Sequence, residues 1–168
     1  MNRSAKLFLC VVTGLLAAAS VRAQAVLPER WREAGLRENV FGVGMAIGAA
    51  TGAGLSFRHH IPGAWSYEIT GGIIKVDDET SYAIGGELQY DLIRANLTRF
   101  FVAGGVGYYY AGHGRGNRLE GPGRFGFGIG GEAAVAAGFH VSGELLFTVF
   151  SDGTVLPLPQ VGMHYYFY

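Results

Sequence analysis

Three residues that could do chemistry together stand at alternate positions near the C-terminus: His140, Ser142 and Glu144. A histidine base next to a serine nucleophile is the arrangement by which many enzymes attack an acyl ester. Residues two apart in an extended strand lie about 7 Å from each other, so a direct hydrogen bond between His140 and Ser142 is not assured. We therefore expect that the chain is not an enzyme, and an enzyme that acts on lipid is the alternative.

The other motifs do not form a metal or nucleotide site. His59 and His60 are adjacent, so in a strand they point to opposite faces and cannot hold one metal ion together. The one cysteine, Cys10, lies in the N-terminal apolar segment. The glycine-rich stretches at 42–44 and 126–130 precede no helix of a βαβ unit, which a dinucleotide-binding loop requires. The sequence therefore predicts no cofactor and no metal.

Many ionisable residues fall on one phase of a period-two alternation. The residues of this set are Arg58, His60, Glu68, Glu87, Asp91, Glu132, His140 and Glu144. A barrel with that phase inside would hold acids and bases that face one another, and buried charges need partners. We expect a network of ion pairs that plugs the lumen; a narrow pore for ions or small solutes is the alternative.

Residues 1–23 have the layout of a secretory signal peptide. Two basic residues precede an apolar run at 7–19, and Val21 and Ala23 suit cleavage before Gln24. That run is too short to cross a membrane as a helix. Cleavage would leave ten basic residues against thirteen acidic ones. The mature chain would then have no basic patch for nucleic acid.

From residue 40 onward, large apolar side chains recur at every second position. An early example is the set Phe41, Val43, Met45 and Ile47, which alternates with small residues. Strict alternation is the pattern of a half-buried β-strand. About eight such runs predict an all-β fold, an eight-stranded antiparallel up-and-down transmembrane β-barrel at 40–168. Residues 24–39 would form a periplasmic linker or a short helix before it.

The face opposite the large apolar residues indicates which side of these strands would point to lipid. It consists mainly of glycine, alanine and ionisable residues, which suit a narrow lumen but would be an unusual surface for a soluble protein. Tyrosine and tryptophan gather toward the predicted strand ends, as interfacial girdles do. The sequence therefore predicts a protein of the bacterial outer membrane. A soluble lipocalin-like carrier is the alternative, because it too is an eight-stranded barrel.

The connections between the predicted strands are expected to alternate in length. The even-numbered ones, at 62–64, 94–98 and 137–138, are short; the odd-numbered ones, at 76–81, 112–124 and 151–159, are longer and more polar, apart from 50–53. Short turns belong on the periplasmic side and longer loops on the outside. The candidate external-loop residues are His113, Arg115, Asn117, Arg118 and Glu120.

Two stretches, FFVAGGVGYYY from Phe100 and FGFGIGGEAAVAAGFHVSGELLF from Phe125, resemble the OmpA-like and opacity-type family of small outer-membrane barrels. The C-terminal VGMHYYFY resembles the aromatic strand that the barrel-assembly machinery reads. The resemblance implies a barrel with an interior polar network, surrounded by outer-membrane lipid, and we expect a monomer. The His-x-Ser pair is similar to that of outer-membrane lipid A deacylases, but Gly143 stands where those enzymes have asparagine.

These observations favour a non-enzymatic barrel with a role in envelope structure or surface interaction. The narrow pore, the lipid-acting enzyme and the soluble carrier stay open as alternatives at this point.

Overall fold

The computed structural model describes residues 37–112, 116–119 and 121–167. Eight strands follow one another: β1 Val40–Gly48, β2 Gly52–His60, β3 Trp65–Val76, β4 Glu79–Arg94, β5 Thr98–Gly112, β6 Gly123–Ala136, β7 Phe139–Phe150 and β8 Val155–Phe167. The predicted signal peptide and most of the predicted linker lie outside the described residues. Within the described residues, no helix is long and apolar enough to cross a membrane.

The eight strands form one closed antiparallel barrel, in which each strand pairs with its neighbours along the chain. β1 and β8 close the barrel, with a register that runs from Phe41 opposite Phe167 to Ile47 opposite Val161. Closure satisfies the backbone hydrogen bonds that an edge strand would leave open. The structure thus confirms the predicted all-β fold of eight up-and-down strands.

Side chains alternate between the two sides of the wall, as the strand pleat requires. The large apolar residues of β1, from Phe41 to Ile47, are 45% to 64% exposed on the outside, whereas the inward Ala46 is 3% exposed. The same alternation recurs in the other strands, with polar and charged side chains buried inside. A soluble barrel would bury its apolar face. The observed arrangement therefore speaks against the lipocalin-like carrier.

Aromatic side chains gather in two bands on the outer surface. We call the end where β1 begins and β8 ends the near rim, and the opposite end the far rim. Trp65 and Tyr90 lie in the near-rim band with their ring centroids 4.9 Å apart. Tyr82 and Tyr110 stack at 5.0 Å in the far-rim band. Two such girdles are typical of a barrel whose ends meet lipid interfaces.

The turns of the near rim are short, but so are most turns of the far rim. β3 continues to Val76 and β4 begins at Glu79, opposite Val76, with Asp77 in a left-handed conformation at a φ of 52°. β8 begins at Val155, so the preceding turn ends at residue 154. The prediction of longer connections at 76–81 and 151–159 is therefore wrong. Polar residues and prolines in these segments extend the strands beyond the apolar band rather than forming loops.

Candidate functional site

An ion-pair cluster fills the lumen. Arg58 donates from Nη1 to Glu132 Oε2 over 2.6 Å and from Nε to Glu68 Oε2 over 2.6 Å. Arg99 donates from Nη2 to Glu132 Oε2 over 2.7 Å and from Nη1 to Asp91 Oδ1 over 2.7 Å. All five side chains are buried. Glu132 therefore joins both guanidinium groups into one network, which we call the ion cluster.

Strand register places two of these four pairs directly opposite each other. Arg58 faces Glu68 across β2 and β3, and Arg99 faces Glu132 across β5 and β6. Directly opposed side chains have Cβ atoms about 5 Å apart, which allows charges to pair. The contact between Arg58 and Glu132 instead crosses the lumen from β2 to β6. That contact links walls that share no backbone hydrogen bonds.

Two further carboxyl groups lie beside the ion cluster. Gln160 Nε2 donates to Oε2 of both Glu87 and Glu144, over 2.7 and 2.9 Å. Gln89 Nε2 donates to Glu87 Oε1 over 2.6 Å. Arg58 Nη2 lies 3.5 Å from Glu144 Oε1. Amides and one guanidinium group thus provide partners for both carboxyls and fill the lumen at this level.

Buried histidines extend the network toward the near rim. His60 Nε2 and the Tyr166 hydroxyl form a hydrogen bond of 2.8 Å. His140 Nδ1 lies 2.9 Å from Glu132 Oε1, the second oxygen of the shared carboxylate. Hydrogen-bonded polar groups in a region of low dielectric constant specify one arrangement of the surrounding chain. The network therefore fixes how the strands sit around the lumen.

The turn between β1 and β2, residues 49–51, bends into the lumen near the far rim. Ala50 and Thr51 are 1% and 2% exposed. Thr51 Oγ1 donates to Gln160 Oε1 over 2.6 Å. Ala50 belongs to a small apolar cluster with Phe101, Ala103 and Leu146. Residues 49–51 thus form a second closure of the lumen, which we call the plug turn.

Inward glycines on the opposite wall make room for the plug turn. A Cβ atom at Gly126 would lie 2.5 Å from Ala50 Cβ, and one at Gly105 would lie 2.4 Å from Thr51 Cγ2. A Cβ atom at Gly107 would lie 2.4 Å from the carbonyl oxygen of Ala50. Any larger residue at these positions would have to displace the turn. The glycines of this wall therefore serve the close approach of the plug turn.

Two side chains hold the plug turn from β5 and β6. The Tyr109 hydroxyl donates to the Gly48 carbonyl oxygen and accepts the Gly52 N–H at 3.0 Å. Arg124 Nη1 donates to the Ala49 carbonyl oxygen over 3.0 Å. The guanidinium carbon of Arg124 lies 3.8 Å from the centroid of the Tyr109 ring. These bonds satisfy backbone groups that the inward bend would otherwise leave without a partner.

All eight residues that the sequence analysis assigned to the lumen point inward and are buried: Arg58, His60, Glu68, Glu87, Asp91, Glu132, His140 and Glu144. That their network blocks ions stays a prediction. Gln89, which shares the strand phase of Glu87, is buried there as well, and four further members of the interior were missed, namely Arg99, Gln160, His164 and Tyr166. Strand phase could have found them, since His164 stands between the outward Met163 and Tyr165.

His140, Ser142 and Glu144 share the inward face, but their contacts do not form an acyl-transfer site. Ser142 Oγ accepts a hydrogen bond from Arg58 Nη2 at 3.3 Å, and Ser142 is 3% exposed. A nucleophile has to reach its ester, whereas Ser142 faces the ion cluster. The arrangement therefore favours a structural role for this strand.

Two of the predicted external-loop residues, Asn117 and Arg118, lie in the described part of the chain; His113, Arg115 and Glu120 lie outside it. Asn117 Oδ1 accepts the Ala111 N–H at 3.2 Å, and Asn117 Nδ2 donates to the Tyr109 carbonyl oxygen over 2.9 Å. Arg118 pairs with Glu79 on the surface. Asn117 thus stabilises the start of the connection, and Arg118 joins it to β4.

The polar interior is almost fully hydrogen-bonded. Across the described ranges, Thr148 Oγ1 is the one buried side-chain nitrogen or oxygen atom without a partner. In the same part of the chain, no group of three or more His, Cys, Asp or Glu side chains could hold a metal ion. The buried polar side chains of the described interior are therefore nearly all paired with one another or with the backbone.

One solved structure with a similar backbone is that of the outer-membrane protein Ail from Yersinia pestis in a phospholipid bilayer nanodisc. The match has a TM-score of 0.44 and 12% sequence identity, and it covers 76% of this chain and 97% of the Ail chain. No protein-family model matches the sequence, and no curated protein matches it. The pairing of its own strands shows that the chain forms a closed eight-stranded barrel.

Proposed function

We propose that the chain is a small, non-enzymatic barrel of the bacterial outer membrane, with a closed lumen and a role in envelope structure or in interactions at the cell surface. The observation that carries this proposal is an apolar outer wall around an interior filled by the ion cluster and the plug turn. Such a barrel presents its outside and its rims, rather than its lumen, to other molecules.

The outer wall is suited to lipid. Ile69, Ile84, Val106 and Ile129, on four successive strands, are 55% to 59% exposed. A contiguous apolar surface of this extent would cause a soluble protein to aggregate. In a bilayer the same surface contacts acyl chains, and closure leaves no unpaired backbone in the hydrocarbon. Outer-membrane lipid is therefore the first partner of the proposal.

The proposal also covers the assembly machinery and the oligomeric state. β8 carries outward Val161, Met163, Tyr165 and Phe167, and we assign it as the strand that the barrel-assembly machinery reads during insertion. The eight strands close the wall across the apolar band, so no second copy is needed to complete it there. We accordingly treat the inserted protein as a monomer.

A pair of arginine substitutions tests whether the outer wall meets lipid. Leu88 lies in the middle of the outward face of β4 and is 49% exposed, whereas Val76 lies at the far rim and is 63% exposed. In a bilayer, Leu88→Arg should reduce the free energy of unfolding by about 2 to 4 kcal/mol, and Val76→Arg by at most about 1 kcal/mol.

Urea titrations of both variants in phospholipid vesicles measure this difference. The folded fraction at each urea concentration is read from a gel of unboiled samples, on which the folded barrel migrates faster than the unfolded chain. Outer-membrane fractionation of the unmodified protein accompanies them. Recovery as a soluble periplasmic protein, with equal and small effects of both substitutions, would contradict the proposal, because both side chains would then face water.

A further inference from the structure

The wall of the barrel is incomplete toward the far rim, between β8 and β3. The outermost pairs next to the β1–β2 hairpin are Ile47 with Val161 and Leu55 with Gly71. β8 and β3 continue beyond these pairs, at 155–160 and 72–76. Within the residues that the structure describes, no strand pairs with either segment on the side of the gap. We call this gap the notch.

The notch exists because the plug turn bends inward instead of continuing the wall. β1 and β2 have nine residues each, whereas β3 has twelve and β8 thirteen. The β1–β2 hairpin does not continue to the far rim, because its turn at 49–51 bends into the lumen. With neighbouring strands about 4.8 Å apart, the missing pair of strands leaves the flanks about 14 Å from each other. The notch is therefore wide enough for an added strand.

The two flanks of the notch differ in their ability to pair. The β8 flank contains Pro157 and Pro159, which have no N–H to donate and are a common protection of an exposed edge. The β3 flank, at 72–76, reads Gly-Ile-Ile-Lys-Val and contains no proline. Because Val76 pairs with Glu79 across a two-residue turn, the even-numbered residues bond to β4, and the N–H groups of Ile73 and Lys75 face the notch. Its Ile73 and Ile74 are 72% and 68% exposed, on opposite faces of the strand. An incoming strand can thus pair with β3 but not fully with β8.

The β3 flank stands at the level where a membrane would end. Ile73 is opposite Tyr82, and Tyr82 is opposite Tyr110, both in the far-rim aromatic band. Residues after Ile73 therefore rise out of the hydrocarbon region, where unpaired backbone groups would be too costly. In the proposed location, both ends of the barrel chain lie on the periplasmic side at the near rim, so the same groups at the far rim are open to molecules outside the cell.

We propose that the β3 edge at 72–76 binds an extended segment of another polypeptide by strand addition; this inference rests on the proposed location in the outer membrane. Strand addition would satisfy the open backbone groups. Alternate apolar residues of the partner would contact Ile73 on one face and Ile74 on the other. A basic residue at the outer end of the segment would meet Asp77 and Asp78, the two acids of the exposed β3–β4 turn.

A second copy of this chain in the same membrane does not fit the edge. Two copies side by side are related by an axis along the membrane normal, and barrel strands tilt by about 40° from that axis. Two facing β3 strands would then cross at roughly 80°, which prevents pairing. The β8 flank of a second copy is blocked by Pro157 and Pro159. The partner is therefore a different polypeptide.

Amide hydrogen exchange, measured by NMR on the full chain in phospholipid nanodiscs, tests this inference. The probe is a synthetic peptide that alternates valine and threonine and ends in two arginines. At a concentration about ten times its Kd, the peptide should slow exchange of the notch-facing amides of Ile73 and Lys75 about tenfold. Unchanged exchange at the highest soluble peptide concentration, or amides that are already protected without peptide, would overturn the inference.

Charge variants test the place and direction of binding. The double variant Asp77→Asn, Asp78→Asn should weaken peptide binding about fivefold at low salt. Asp152→Asn, at another far-rim turn, is the matched control and should leave the affinity unchanged. Equal affinities of all three proteins would exclude the notch. The gel migration of the same samples shows separately that the barrel is intact, so failed peptide binding does not count against the proposed function.

Discussion

Arg58 and Glu132 form an ion pair of 2.6 Å between β2 and β6, two strands that are not neighbours in the barrel. Glu132 also accepts hydrogen bonds from Arg99 and contacts His140. The carboxylate therefore connects side chains from four strands at one point of the lumen. Loss of this carboxylate should therefore lower the stability of the whole barrel.

Glu132→Gln should destabilise the barrel by about 3 to 5 kcal/mol, because Arg58 and Arg99 would lose the carboxylate that they share in a buried site. Urea titration in vesicles, read by gel migration, measures the change. The control is Glu79→Gln, which removes an exposed pair with Arg118 and should cost at most about 1 kcal/mol. Equal effects of the two substitutions would show that the ion cluster does not stabilise the fold.

Gly126→Val should destabilise the barrel by about 1 to 3 kcal/mol, since the new side chain would overlap Ala50 of the plug turn. Gly143→Val is the matched control, because a Cβ atom there would meet nothing within 4 Å and valine is favoured in strands. Thermal unfolding of both variants provides the comparison. Similar stability of the two proteins would mean that the plug turn does not rest against β6.

Arg124→Gln should loosen the plug turn without opening the lumen. The substitution removes the donor to the Ala49 carbonyl oxygen and the contact with the Tyr109 ring, while the ion cluster stays in place. Amide exchange at Gly52, which follows the plug turn and donates its N–H to the Tyr109 hydroxyl, should become faster than in the unmodified protein. Arg118→Gln, which affects a surface pair with Glu79, should leave this exchange rate unchanged. A plug turn that stays equally protected in Arg124→Gln would contradict the assigned role of the guanidinium group.

Ser142→Ala should leave folding and lipid composition unaltered. Ser142 Oγ accepts one hydrogen bond from Arg58, at 3.3 Å, so its loss should cost about 1 kcal/mol or less. Mass spectrometry of lipid A and phospholipids from cells with either protein is the measurement. Release of fatty acid by the unmodified protein, abolished in Ser142→Ala with an intact barrel, would restore the lipid-acting enzyme.

The alternation of side chains made the fold and most of the lumen predictable from the sequence. Phase alone places Glu68 and Glu132 inside, because their neighbours along the strand are apolar or small. Arg99 was missed because it follows the predicted turn at 94–98, where the phase was not read. The plug turn was beyond prediction, since its place depends on how the glycines of β5 and β6 come to face residues 49–51 across the closed barrel.

The far rim was predicted less well for a related reason. The polar residues near Glu79 and the prolines of β8 look like loop signals in a sequence. Both segments nevertheless pair as strands, the first with β3 and the second with β7. Composition shows that a segment leaves the apolar band, but it does not show whether the chain stays extended. The notch follows from that difference in strand length, so it becomes visible only with the register.

Single-channel recording in planar bilayers tests the central claim, which is that the lumen is closed. The unmodified protein should give no steady conductance above the bare bilayer, because the ion cluster and the plug turn fill the lumen at two levels. The double variant Arg124→Gln, Glu132→Gln, which weakens both closures, should give small conductance steps in the fraction that remains folded. A large and steady conductance of the unmodified protein would contradict the closed lumen and make the barrel a pore.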